Sequence, residues 1–100
     1  MKYVVSYESA EDVLSKAPVH YAAHSARARE FHARGELLMI GVFEDAQTDG
    51  ALGIFPTRQA AEEFIRNDPF VVHGVVRAWR IRGWNEVLDP EPSKSTETES

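Results

Sequence analysis

The sequence predicts an α+β domain whose elements follow one another as β-α-β-β-α-β, and three observations predict it. Short runs rich in β-branched and aromatic residues recur at four places. Two longer segments are rich in helix-forming residues and carry start and stop signals. Turn residues, among them Gly35, Asp49-Gly50 and Asp68-Pro69, stand between these segments.

Lys2 to Tyr7 (KYVVSY) reads as the first strand and gives way to the polar ESAED. Pro18 to Arg34 (PVHYAAHSARAREFHAR) reads as the first helix, and Gly35 is placed to end it. Glu36 to Phe43 (ELLMIGVF) is an apolar second strand, joined through EDAQTDG, a loose hairpin loop, to a third strand at Ala51 to Phe55. Thr57 is an N-cap for the second helix, RQAAEEFIRN, whose apolar stripe is Ala60, Ala61, Phe64 and Ile65. Asp68-Pro69 stops that helix, because the residue before a proline is pushed out of the helical region. After a short irregular piece, Val76 to Ile81 is the last strand. This is the ferredoxin-like order: a four-stranded antiparallel sheet with both helices on one face.

Alternation along the strands then bears on assembly. In the second strand Leu37, Met39 and Phe43 point one way and Leu38, Ile40 and Val42 the other; in the third, Phe55 opposes Leu52 and Ile54. Both sheet faces are therefore apolar, and two helices cover only one. A homodimer joined through the open faces is the simplest remedy, and a small core gains stability from it.

Bulk properties exclude several classes. The 100 residues suit one domain, and with no cysteine there is no disulfide, thiolate nucleophile or ordinary structural zinc site. MKYVVSYESAED lacks the apolar core of a secretory signal, and no run has the roughly 18 apolar residues of a membrane span. A soluble, cytoplasmic protein is expected, without membrane contact. A formal charge of -5 argues against nucleic-acid binding. Part of that charge lies in residues 89–100 (DPEPSKSTETES), which have no aromatic or aliphatic side chain and read as a disordered acidic tail after a domain of residues 1–88. Motifs for serine hydrolysis, nucleotide triphosphates and dinucleotides are absent, so no cofactor is expected.

Residues with chemical potential gather on the first helix. His24, Ala28 and Phe31 stand at i, i+4 and i+7, which turns His24 inward or to the edge of a pocket. A half-buried imidazole with a carboxylate partner serves as a general acid or base; alone, it is more commonly a structural donor to a carbonyl. Asp68 is locally a turn-former before proline, and functionally the carboxylate that orients His24. His20 and His24 are spaced to share a metal, with His73 or Asp68 as a third ligand, but the glutamate of a zinc-protease helix is missing and no metal site is expected. His32 belongs to the same helix. Trp79 and Trp84 read as core or interface residues rather than pocket walls.

Taken together, the opening tyrosine and valines, the helix histidine, Gly35-Glu36-Leu37-Leu38, Ile40-Gly41, Gly53, and Asn67-Asp68-Pro69-Phe70 with Gly74 resemble the YCII-related family over about residues 1–88. The resemblance implies a dimeric α+β barrel and selects His24, eleven residues before Gly35, with Asp68 as the suspected active-site pair. Tyr21 and Val42 stand where relatives often have arginine and proline. By analogy with dehydrochlorinases and isomerases of similar fold, the resemblance implies acid-base chemistry of the lyase or isomerase kind on a small ring-derived substrate. The other reading is a non-catalytic dimeric module that binds a metabolite or a partner protein.

Overall fold

A computed structural model describes residues 1–88. The expectation for the tail at 89–100 lies outside the described residues. Strand β1 (Lys2–Ser9) leads to helix α1 (Val13–Ala33), and β2 (Met39–Val42) follows. A one-turn helix α2 (Ala46–Asp49) precedes β3 (Ala51–Phe55). Next come α3 (Arg58–Arg66), a second one-turn helix α4 (Pro69–Val72), and β4 (Val76–Trp84). The strands form one antiparallel sheet in the order β2-β3-β1-β4, with β1 and β4 paired nearly end to end. The ferredoxin-like arrangement is thus present. No described helix is long and apolar enough to cross a membrane.

Local signals explain most boundaries. The Thr57 side chain accepts from the Ala60 N–H at 3.0 Å and starts α3. At the end of α1, Gly35 has φ 77° and its N–H bonds to the His32 carbonyl, while the Glu36 N–H reaches back to Phe31. That pair of bonds is a Schellman ending, which glycine's freedom at positive φ allows.

Three boundaries differ from the sequence reading. Helix α1 begins at Val13, not Pro18: its buried start anchors the first turn, and Pro18 lies on an exposed side where its missing N–H leaves only a solvent-facing carbonyl without a helical partner. The loose hairpin loop contains α2, capped by the Asp45 side chain on the Thr48 N–H at 3.2 Å. Strand β2 begins only at Met39, because the Schellman ending turns Leu37 into the core, where it is 1% exposed. Leu37 therefore leaves the face that Met39 and Phe43 share.

The core lies between the helices and the β1–β3 side of the sheet. Val5, Phe31, Leu37, Phe55, Ala61 and Phe64 form its center, with the Phe31 and Phe64 rings edge to face at 5.2 Å between centroids. Helix α1 is pinned across it by Arg27, which donates to the Glu63 and Phe64 carbonyls in the last turn of α3 and stacks over Phe31. One glycine is required: at Gly50, φ 73°, an added Cβ would stand 1.9 Å from the Tyr7 carbonyl oxygen.

Candidate active site

Two features of Asp68 follow from its place in the chain. As the residue before Pro69 it takes an extended backbone, φ -66° and ψ 122°, which ends the α3 segment; it then caps α4 by accepting from the Phe70 N–H at 3.1 Å. Helix α4 thus sets the carboxylate inside the protein, where it is fully buried.

A buried carboxylate needs donors on both oxygens. Besides Phe70, Oδ2 accepts from the Tyr7 hydroxyl at 2.6 Å, and Oδ1 lies 2.7 Å from His24 Nδ1. With Tyr7 and Phe70 both donating, the carboxylate is the acceptor of the network and Nδ1 carries the donated proton. In neutral His24 the lone pair is therefore on Nε2. The imidazole is held flat against Phe70, with centroids 3.9 Å apart and planes 2° apart, and its edge faces Phe64. Hydrogen bond and stack together fix the ring.

Tyr7 was missed in the sequence. Alternation places it on the helix side of β1, but nothing local says that its hydroxyl meets a carboxylate 61 positions away. Burial, then the negative charge of Asp68 and the hydrogen bond to it, push the Tyr7 hydroxyl far above the ordinary phenol range, so it remains a donor.

His24 forms part of the wall of a cleft of about 360 Å³ between α1 and the β1–β3–β2 side of the sheet. Ala17, Tyr21 and Ser25 of α1 form one wall; Val5, Ile40, Val42 and Phe55 belong to the sheet side. An adjoining hollow of about 540 Å³ extends it toward Val13 and α2. Every buried polar side-chain atom among the described residues has a partner, so Nε2, which has none among them, is open to solvent or to a ligand.

The other histidines stand apart. His20 stacks on His73 at 4.1 Å, parallel to within 3°, one turn along α1 from His24; His32 is exposed. Among the described residues no group of three or more His, Cys, Asp or Glu is placed to hold a metal ion. Trp79 and Trp84 are each 47% exposed and take no part in the core.

Fold and site define a class: a small α+β domain in which a buried carboxylate presents one histidine to an apolar cleft. Within that class the chain belongs to the YCII-related domain family, whose model matches residues 1–85. The fold is similar to that of 5-chloro-2-hydroxyhydroquinone dehydrochlorinase from Burkholderia phenoliruptrix AC1100, solved in complex with 2,5-dihydroxybenzoquinone. The TM-score is 0.69 at 21% identity, covering 85% of this chain and 94% of that one. It is also similar to a protein from Agrobacterium tumefaciens, with a TM-score of 0.54, 9% identity, and 90% and 98% of the two chains covered. No curated protein matches the sequence.

Proposed function

We propose that this protein is an acid-base enzyme of the lyase or isomerase kind, acting on a small ring-derived organic compound. His24 is its proton-transfer group and Asp68 the carboxylate that orients it. The observation that carries the reading is the division of the imidazole. Nδ1 is bound to a fully buried carboxylate, while Nε2 has no partner among the described residues on a ring that lines an apolar cleft. A histidine with only a structural role has no need of an open cleft.

In this mechanism His24 Nε2 accepts a proton from the substrate and returns it to another position or to a leaving group. Asp68 keeps Nδ1 protonated and balances the charge that develops on the ring. Tyr7 and the Phe70 N–H hold the carboxylate still. The dehydrochlorinase of similar fold supports a reaction of this kind, at the level of fold. The test is a screen of small cyclic acids, lactones and chlorinated hydroxyquinols for turnover, with His24→Ala as control; activity that survives the substitution would remove the reading.

The same proposal includes a cytoplasmic homodimer joined through the open sheet face. Met39 and Phe43, with Leu52 and Ile54 beside them, leave an apolar patch on that face, and Trp84 adds to it. Sedimentation at micromolar concentration tests it; a stable monomer would count against the dimer.

A further inference from the structure

Besides the hydroxyl of Tyr21 at its exposed rim, the cleft wall holds two polar side-chain groups that have no partner among the described residues. One is Nε2 of His24. The other is the hydroxyl of Ser25, which forms no hydrogen bond with the described residues, not even with the carbonyl one turn back that a mid-helix serine commonly uses. Around them the wall is aromatic and aliphatic: Tyr21, Phe55, Phe64 and Phe70 supply flat surfaces. Among the described residues that line the cleft there is no Arg, Lys, Asp or Glu. A carboxylate placed there would lose its water and find no permanent cation, only the His24 ring, whose positive form is already balanced by Asp68. Arg29 and His32 line a separate shallow depression, which shares Tyr21, Ser25, Ala28 and Ile40 with the cleft. An acid on a long arm could reach them; one on the ring itself could not.

We infer that the cleft selects an uncharged ring compound whose one polar edge meets His24 and the Ser25 hydroxyl, and that it rejects the carboxylate of the same skeleton. The inference deepens the acid-base reading and rests on its placement of the site at His24. A β,γ-unsaturated cyclic ester or ketone, whose acidic C–H lies between its carbonyl and its double bond, fits both groups. The C–H bond breaks, its proton passes to Nε2, and the electron pair moves into an enolate whose oxygen accepts from Ser25. Return of that proton at another carbon completes an isomerisation with nothing else consumed.

The test compares γ-phenyl-γ-butyrolactone with the acid that carries a carboxylate on the same lactone ring, 5-oxo-2-phenyltetrahydrofuran-3-carboxylate, titrated into the full chain while the His24 ring signals are followed by NMR. The lactone should bind at least about tenfold more tightly than the acid. Ser25→Ala should weaken the lactone by about three- to tenfold with the fold intact. Tyr21→Lys, at an exposed position on the rim, should bring the acid up toward the lactone. Equal binding of the two, binding of neither, no effect of Ser25→Ala, or an acid still rejected by Tyr21→Lys would overturn the inference. Because the readout is binding, the two readings fail separately. Lactone-selective binding with no turnover of any ring compound would keep the ligand class and remove the acid-base reading. His24-dependent turnover of ring carboxylates would do the reverse.

Discussion

Helix α1 sets two histidines one turn apart against α4, and both are stacked on a ring. His24 lies on Phe70 at 3.9 Å, and His20 lies on His73 at 4.1 Å. In spacing and stacking the two rungs are nearly alike. They differ in what meets the imidazole edge-on: His24 has a buried carboxylate on one nitrogen and a cleft beside it, whereas no carboxylate among the described residues bonds to His20. The position of a histidine on a helix therefore does not make a proton-transfer group. The second contact is what the proposed role rests on, because it fixes which nitrogen holds the proton and leaves the other facing the cleft.

The largest expected effect comes from deleting the rung that the proposed mechanism uses. His24→Ala should lower turnover of any accepted substrate by about 10²- to 10⁴-fold, measured as kcat/KM. His20→Ala measured alongside should leave it unchanged, and equal losses would erase the distinction between the rungs. Next is the carboxylate. Asp68→Asn keeps the volume but places an amide among the three donors of Tyr7, His24 and Phe70, and should cost about 3–5 kcal/mol in urea unfolding. A loss under about 1 kcal/mol would mean that the network is slack.

Tyr7→Phe should cost about 2 kcal/mol at neutral pH. It should also change the alkaline limb of stability. The folded protein keeps the Tyr7 proton where the unfolded chain begins to lose it, near the ordinary value of 10.0. The stability that depends on this proton is whole below that pH and declines above it. Wild type should therefore lose stability more steeply than Tyr7→Phe between about pH 9 and 11; parallel slopes would separate Tyr7 from Asp68. The smallest effect belongs to His20→Ala, under about 1 kcal/mol in the same unfolding assay, from the loss of one partly exposed stack.

Much of this was legible in the sequence because the deciding signals are local. Thr57, Gly35 and Asp68-Pro69 mark element ends through backbone rules that hold in any fold, and strand alternation gave the sheet faces correctly for Phe55, Leu52 and Ile54. The pairing of His24 with Asp68 was within reach because a helical stripe turned one inward and a proline set the other beside the neighbouring helix. What escaped was nonlocal or cooperative. The Tyr7 hydroxyl finds its acceptor only once β1 lies beneath α4. Leu37 breaks its strand's alternation because the ending of α1 redirects the chain. Pro18 looked like a start because the rule for proline at the first turn is stronger than the rule against it on a wet helix face.

Gly50 shows how far the site reaches beyond its own wall. It stands in the turn between α2 and β3, and any side chain there would press on the backbone oxygen of Tyr7, the residue whose hydroxyl steadies Asp68. In a mutagenesis library ranked by activity, position 50 should behave like a site residue, intolerant of every replacement, although its own atoms take no part in the chemistry. A map drawn from mutational sensitivity alone would place a catalytic residue there, and the structure says why that assignment would be mistaken: the constraint is steric and is passed on through one carbonyl.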